Sequence, residues 1–463
     1  MPCRATLAQL TAVLNATPVN LSATSLATQA AGITTDTRRL VPGEVFLALK
    51  GETFDGHEFV GEAMQRGAIA AIVSVDSAFS ALRSKMLPTS PFLTVADTLA
   101  AYQAIARWWR DQFTIPVIAV TGSVGKTTTK ELIAAVLSHL TPHTPLLKSQ
   151  ANYNNEIGVP KTLLELEPKH HYAVIEMGMR GPGEIALLTQ IASPDIAVIT
   201  NVGTAHIGRL GSEEAIAQAK CELLAEMPRT GTAILNYDNP LLLKTAASVW
   251  QGTTITYGLE GGDVQGQFTN RGTLLVEGLE LPLPLPGRHN ALNYLAAIAV
   301  AKVLGIDWSS LAQGLTVDLP AGRAQRYELP EDIILLDETY NAGLESMLAS
   351  LELLAQTPGK RRIAVLGTMK ELGERSPEFH ERVGAAVRQL KLDQLLILAE
   401  DPEASALAAG AAPAPTERFT THEALTARLQ EIMKPGDRLL FKASRAVGLD
   451  RVVEALRNPK DSR

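Results

Sequence analysis

Apolar positions along the chain fall into two alternating patterns. Short runs that are apolar at nearly every position, at 117–121, 172–176, 196–200 and 233–236, are separated by longer stretches with apolar residues every three or four positions. A continuous apolar run bounded by polar residues reads as a strand covered on both faces, and a 3.6-residue period reads as a helix. The alternation therefore predicts an α/β fold built on a parallel sheet. The same rhythm returns with strands at 333–337, 362–367, 394–398 and 438–442 and helices near 346–355, 377–390 and 448–457, which predicts a second such sheet. The first hundred residues are less regular. A helical pattern on Leu7, Leu10, Val13 and Leu14 precedes short strands at 45–49 and 68–73, with a helical stretch at 57–67 between them. Pro88, Ser90 and Pro91 then interrupt the pattern before a helix over 97–110 with Asp97 as its N-cap. With 113–116 as a linker, three domains are expected in this 463-residue chain, at 1–113, 114–320 and 321–463.

Two stretches depart from the alternation. Residues 262–286 set Leu281, Leu283 and Leu285 between prolines, and proline cannot donate to a ladder, so an edge strand or extended loop is expected there. Residues 408–415, rich in Ala and Pro, read as a loop. Helices over 212–227, opening on a capping serine and two glutamates, and over 290–304 complete the second domain.

Composition narrows the class. Hydrophobic residues at 46% with 20% charged residues suit a soluble globular protein, and a formal charge of −7 with no basic block argues against nucleic acid as a ligand. Cys3 and Cys221 make neither a disulfide framework nor a metal-ligand spacing, and Cys221 reads as a small apolar filler. The apolar helix at 294–306 contains Lys302 and is too short to span a bilayer, and the N-terminus lacks the build of a signal peptide. A cytoplasmic monomer without membrane insertion is expected.

The strongest chemical signal follows the first central strand: Gly122-Ser123-Val124-Gly125-Lys126-Thr127-Thr128, leading into a helix. Strand, glycine turn, Lys-Thr and helix together form a phosphate-binding loop, whose backbone N–H groups and helix dipole favour phosphate oxygens. Lys126 would reach the terminal phosphates of ATP and the Thr127 hydroxyl would ligate Mg²⁺. Only two residues separate the glycines where four are common, a shortening that resembles ATP-dependent amide ligases. Ligands of open α/β sheets gather beyond the carboxyl ends of the strands, and several polar residues fall there. Glu176 is suited to complete a Mg²⁺ site, or else to cap a nearby helix. His206 is a metal or phosphate contact or a structural histidine, and Lys220 is a surface lysine or a carbamate-bearing one. Asn290 is an N-cap or faces a nucleotide base, and Asp337 suits a ribose hydroxyl or a lysine. Lys442 and Arg445 offer donors to a carboxylate or phosphate.

In order along the chain, Thr35-Asp36-Thr37-Arg38, the block from Phe46 to His57, the phosphate loop, Asn152-Tyr153-Asn154-Asn155-Glu156-Ile157-Gly158, residues 201–208, Lys220, Gly287-Arg288-His289-Asn290, Asp337-Glu338-Thr339-Tyr340-Asn341-Ala342 and Leu366-Gly367-Thr368-Met369-Lys370-Glu371-Leu372-Gly373 resemble the Mur ligases. The chain departs from the commonest family pattern at Thr368 and Ala443. The resemblance implies three domains, with a central P-loop ATPase-like parallel sheet and a C-terminal Rossmann-like domain. It also implies a reaction of peptidoglycan precursor synthesis, in which ATP phosphorylates the terminal carboxylate of a UDP-N-acetylmuramoyl-tripeptide and D-alanyl-D-alanine attacks the acyl phosphate. The branch that uses this dipeptide is indicated by Tyr340-Asn341-Ala342 and the 152–158 block. By resemblance Thr127 and Glu176 serve one Mg²⁺, and His206 with carbamylated Lys220 a second. Asn290, Arg323 and Asp337 contact the nucleotide. Asp36, Thr37, Arg38, Lys50 and Gly51 hold the uridine-diphosphate end, and Asn154, Asn155, Tyr340, Asn341, Lys442, Ser444 and Arg445 contact substrate. Two rivals are a folylpolyglutamate synthetase, which lacks a UDP-binding first domain, and a nucleotide-driven switch protein.

Overall fold

The computed structural model describes residues 3–51, 53–75 and 89–458, so Glu52 and Pro88 lie outside the described residues. Three sheets follow one another along the chain. The first contains β1 (Thr17–Val19), β2 (Ile33–Thr34), β3 (Val45–Leu47), β4 (Ala70–Ser74) and β5 (Phe92–Val95) in the order β1-β5-β4-β3-β2, parallel except for β1. The second contains β6 (Val117–Thr121), β7 (Leu146–Lys148), β8 (Tyr172–Glu176), β9 (Ile196–Ile199), β10 (Thr232–Asn236), β11 (Thr253–Gly258), β12 (Val264–Phe268), β13 (Leu274–Val276) and β14 (Leu279–Leu281), in the order β14-β13-β12-β11-β10-β9-β6-β8-β7. The third contains β15 (Gln325–Leu329), β16 (Ile333–Asp337), β17 (Arg361–Gly367), β18 (Gln394–Leu398), β19 (Thr416–Phe419) and β20 (Asp437–Lys442), in the order β15-β16-β20-β17-β18-β19.

The central strands form where the apolar runs stand. Val117 to Val120 of β6 are fully buried between β8 and β9, because helices cover both sheet faces. The helix Arg288–Val303 is rich in Ala and apolar on nearly every side, and between Asn290 and Ala301 it is almost entirely buried, against the phosphate-loop helix Lys126–Leu140. Asp97 caps the helix Thr98–Arg110 by accepting from the N–H groups of Leu99 (2.7 Å) and Ala100 (3.0 Å), as the sequence predicts. Ser212 does the same for Glu213–Glu226, and Cys221 sits in the core.

Three expectations need correction. Residues 408–411 belong to a helix, Glu403–Ala411, because alanine is the best helix former and the prolines fall only beyond its end. The 262–286 stretch holds three short strands, not one; β12, β13 and β14 form an antiparallel meander turning at glycines with positive φ, and β14 is indeed at the sheet edge. The N-cap of Arg288–Val303 is Gly287, which leaves Asn290 inside the first turn. Two outer strands of the third sheet, β15 and β19, were not anticipated, since their burial is only partial and their apolar signal weak.

Helices Ser376–Gln389 and Glu403–Ala411 meet at two glycines. A Cβ on Gly384 would lie 2.2 Å from the Leu407 carbonyl oxygen, and one on Gly410 would lie 2.1 Å from that of Glu381. Gly384→Ala should therefore destabilise the third domain by roughly 1–3 kcal/mol through overpacking. Thermal unfolding checks this, and an unchanged melting temperature would contradict so close an approach.

Candidate active site

The phosphate loop is held in place by the neighbouring strand end. Ser123 N–H donates to the Asn201 carbonyl (3.0 Å), Val124 N–H to Asn201 Oδ1 (3.0 Å), and Thr200 Oγ1 donates to the Val124 carbonyl (2.6 Å). A Cβ at Gly122, whose φ is 151°, would meet Thr200 Oγ1 at 1.9 Å, and one at Gly125 would meet Asn293 Oδ1 at 2.6 Å. No other residue fits either position. Lys126 Nζ folds over the loop and donates to the Gly122 carbonyl (2.7 Å). Burial lowers its pKa, and the nearby Glu176 carboxylate opposes that shift.

Glu176 ends β8 beside this loop and is 3% exposed. Its Oε1 accepts from Asn154 Nδ2 (2.8 Å), whereas Oε2 has no hydrogen bond and lies 3.8 Å from Lys130 Nζ. Lys130 is fully buried, donates to the Ser149 carbonyl (2.7 Å) and pairs with Glu131 (2.9 Å), which in turn pairs with Lys148. An unbonded carboxylate oxygen and the Thr127 hydroxyl, lining one cleft, are the kind of donors that Mg²⁺ takes when phosphates and water complete its shell. Among the described residues no group of three His, Cys, Asp or Glu converges on a point, so protein carboxylates alone do not build a metal cage.

Lys220 lies on the inner face of the helix Glu213–Glu226, 1% exposed, so the surface-lysine reading fails. Burial first, and then the nearby Lys126, push its pKa far below the ordinary lysine value. His206, in a left-handed conformation (φ 67°), pairs across the cleft with Glu371 at 2.6 Å. Desolvation lowers its pKa, with Glu371 pulling the other way. The third domain closes on the central one here: Thr204 N–H donates to Glu345 Oε1 (2.7 Å), and Gly208 N–H to the Glu371 carbonyl (3.3 Å).

These residues share a cleft of about 980 Å³ lined by both domains. It holds Ser123 to Thr128, Asn154, Asn155, Glu176, His206, Lys220, Asn290, Arg323, Tyr340, Asn341, Lys442, Ser444 and Arg445 from the sequence reading. Asp337 lies in an adjoining cavity that also reaches Thr127 and Arg323. Arg323 stacks on the Tyr340 ring (3.9 Å), and its buried Nε has no hydrogen-bond partner. Asn290 Nδ2 donates to the Pro286 carbonyl (2.8 Å), while Asn293 links to Thr129 of the phosphate-loop helix.

Other predicted roles are redistributed. Asp337 accepts from Thr339 N–H (3.0 Å) and Oγ1 (2.6 Å), and the nearby Lys442 sits 3.7 Å from Glu338 and donates to the Asn341 carbonyl (3.1 Å). Burial raises the Asp337 pKa and lowers that of Lys442. Ser444 Oγ accepts from Lys370 N–H (2.9 Å), Arg445 pairs with Asp450 (2.9 Å), and Asn155 Oδ1 caps a helix through Gly158 N–H (2.9 Å). Asp36, Thr37, Arg38, Lys50 and Gly51 do not line the cleft; they follow the adjacent parallel strands β2 and β3 of the first sheet, with Asp36 bonded to Arg38 at 2.8 Å. Asn201, Glu345, Glu371 and Lys130 were not singled out by sequence reasoning. Asn201 and Glu371 fell within quoted motifs, but nothing in their spacing marked the contacts they make.

A phosphate loop and a cross-domain cleft at the strand ends define an ATP-dependent ligase architecture, and sequence comparison agrees. The Mur ligase middle domain matches residues 120–301, the Mur ligase glutamate ligase domain residues 322–445, and the Mur ligase family catalytic domain residues 29–106. The chain belongs to the Mur ligase family. It is 61% identical over 424 residues to the UDP-N-acetylmuramoyl-tripeptide–D-alanyl-D-alanine ligase of Synechocystis, covering 92% of this chain and 91% of that one. The Escherichia coli enzyme of the same name is 36% identical over 464 residues, 97% and 98% of the two chains. Among solved structures, MurF from Acinetobacter baumannii superposes with a TM-score of 0.85 at 31% identity, over 98% and 99% of the chains. MurF from Thermotoga maritima in complex with ADP gives 0.80 at 32% identity, over 91% and 96%. Neither a folylpolyglutamate synthetase nor a switch protein accounts for these matches. Among the described residues no helix is long and apolar enough to cross a membrane.

A buried lysine forced toward neutrality costs stability, so Lys220→Met should raise the melting temperature by about 2 °C or more. The unfolded chain keeps a proton on Lys220 that burial disfavours, so the wild type gains stability as pH rises toward the ordinary lysine pKa. The advantage of Met should therefore shrink with rising pH. A variant no more stable than wild type at pH 7 would contradict the desolvated amine.

Proposed function

We propose that this chain is an ATP-dependent ligase that joins D-alanyl-D-alanine to a UDP-N-acetylmuramoyl-tripeptide in peptidoglycan precursor synthesis. The observation that carries this reading is the single cleft in which the phosphate loop, Glu176, Lys220 and the lip of the third domain converge. Relatives of the same name, matching over nearly the whole chain, support it. A carboxylate is a poor electrophile, and transfer of the ATP γ-phosphoryl group to it creates an acyl phosphate with a good leaving group. The free amine of the dipeptide attacks the acyl carbon, and the tetrahedral adduct collapses as the C–O bond to phosphate breaks. The products are an amide, phosphate and ADP.

The residues divide this work. Lys126 and the N–H groups at the start of the helix Lys126–Leu140 gather the β- and γ-phosphates, and Arg323, with its unpaired Nε, adds a cation. Thr127 and Glu176 would hold Mg²⁺, which neutralises charge between the phosphates and the attacking carboxylate. Lys220, whose pKa burial pushes well below the ordinary lysine value, would add its amine to CO₂ with loss of a proton, and the carbamate with His206 would serve a second Mg²⁺. Asn290 and Asp337 would orient the nucleoside. The 1–113 domain would hold the uridine-diphosphate end near Asp36, Thr37, Arg38, Lys50 and Gly51. The closed cleft between the 114–320 and 321–463 domains would keep water from the acyl phosphate. Asn154, besides fixing Glu176, would meet the tripeptide, and Tyr340 and Asn341 the dipeptide.

Purified protein with ATP, Mg²⁺ and a UDP-N-acetylmuramoyl-tripeptide should form amide with D-alanyl-D-alanine and release one phosphate per bond. Free D-alanine, lysine and diaminopimelate should be poor acceptors, and faster joining of a single amino acid would overturn the choice of dipeptide. Lys126→Ala should lower turnover by about a hundredfold or more with the fold intact, and removing Mg²⁺ with EDTA should stop the reaction. Near-normal turnover in that variant would sink the phosphate-loop role. Lys220→Arg should not restore a Lys220→Ala loss, since arginine cannot supply carbamate oxygens.

A further inference from the structure

The acceptor dipeptide ends in a carboxylate, and its burial in a closed cleft calls for a cation not already committed to a protein partner. Most cations lining the cleft are committed. Lys126 bonds to its own loop, Arg323 stacks on Tyr340, and Lys220 is buried at the cleft floor and assigned above to the carbamate. Lys442, 4% exposed, is held by the Asn341 carbonyl and Glu338. Arg445 pairs with Asp450. Two exposed cations in the cleft have no acidic partner and no side-chain hydrogen bond among the described residues: Arg180, beyond β8 on the central domain, and Lys370, beyond β17 on the third.

Resting on the ligase reading above, we propose that Lys370 is the carboxylate anchor for the incoming dipeptide, in place of the Lys442–Arg445 turn. Its backbone is fixed. Lys370 N–H donates to Ser444 Oγ (2.9 Å), Met369 N–H to His380 Nε2 (2.9 Å), and Ser444 N–H to the Thr368 carbonyl (3.1 Å). Met369 and Leu372 on either side are buried, so the loop is pinned on both sides of the exposed lysine. Strand ends β16, β20 and β17 are neighbours here, which places Lys370 at the same crevice as Asn341 and Lys442. The next residue, Glu371, reaches His206 at 2.6 Å, and His206 lines the same cleft as Lys126 and Lys220. Lys370 is thus one residue, about 3.8 Å of backbone, from a direct contact with the reaction centre. An extended dipeptide spans about 7 Å, so an amine placed at that centre carries its carboxylate outward by a distance the lysine side chain can meet. Arg180 lies instead four residues after Glu176, on the wall shared with the Asn154 loop. That is the donor side of the cleft, where the tripeptide's own carboxylates would lie.

The test compares D-alanyl-D-alanine with its C-terminal amide in steady-state ligation by wild type, Lys370→Ala, Lys370→Arg and Arg180→Ala. Ligation by wild type with the free dipeptide first establishes the activity itself; its absence would refute the ligase reading, not the anchor. With activity in hand, Lys370→Ala should raise KM for the dipeptide about tenfold or more, leave KM for ATP and tripeptide within twofold, and change kcat at saturation little. The amide should be a poor acceptor for wild type and no poorer for Lys370→Ala, because the lost contact needs the carboxylate. Lys370→Arg should recover most of the dipeptide KM. An unchanged dipeptide KM in Lys370→Ala, an equal loss with the amide, or carboxylate discrimination lost only in Arg180→Ala would each overturn the assignment.

Discussion

Everything in the site depends on how closely the phosphate loop approaches the end of β9. Gly122 has no room for a Cβ because Thr200 Oγ1 occupies that space, and Asn201 takes both a backbone and a side-chain hydrogen bond from the loop. These two N–H groups are spent on Asn201, and in return the turn into the N-terminus of the helix Lys126–Leu140 is fixed before any ligand arrives. The same strand end leads into Thr204, His206 and Gly208, which touch the third domain through Glu345 and Glu371. One segment of about ten residues therefore shapes the anion site and joins the two domains across the cleft.

Seven lysines and arginines line the cleft beside as many acids, and two of those cations, Lys220 and Lys442, are buried. Lys126, Lys220 and Lys442 are all shifted downward by desolvation, and His206 with them. Such groups are unfavourable to the fold taken alone. Their arrangement makes sense for substrates that are themselves polyanions, since a nucleoside triphosphate and a carboxylate must be brought together against their own repulsion. Buried counter-charges keep the cost local. Lys130 and Lys148 bracket Glu131, so among the described residues the buried carboxylate oxygen left without a hydrogen bond is Glu176 Oε2.

Much of this was legible in the chain because strand ends are legible. Glu176, Asp337 and Lys442 each terminate an apolar run, and in a parallel sheet that places them on the ligand side without further information. The glycine spacing of the phosphate loop likewise carries its own conformational demand. What the spacing does not encode is which side chain meets which. Asn154 bonds Glu176 from 22 positions away, and Glu371 meets His206 from the next domain. Lys442 and Arg445 look like free donors in one dimension, yet the fold commits both to acids. Residues 408–411 misled because Ala serves helices as well as loops, and β15 and β19 stayed hidden because half-exposed edge strands have little apolar contrast.

The central claim is that the tripeptide carboxylate is phosphorylated on this loop before the dipeptide attacks. Ligation with tripeptide carrying ¹⁸O in its terminal carboxylate measures that step directly, by mass analysis of the released phosphate. The acyl phosphate route predicts one ¹⁸O atom in the phosphate and one retained in the product amide. Phosphate without label would contradict it.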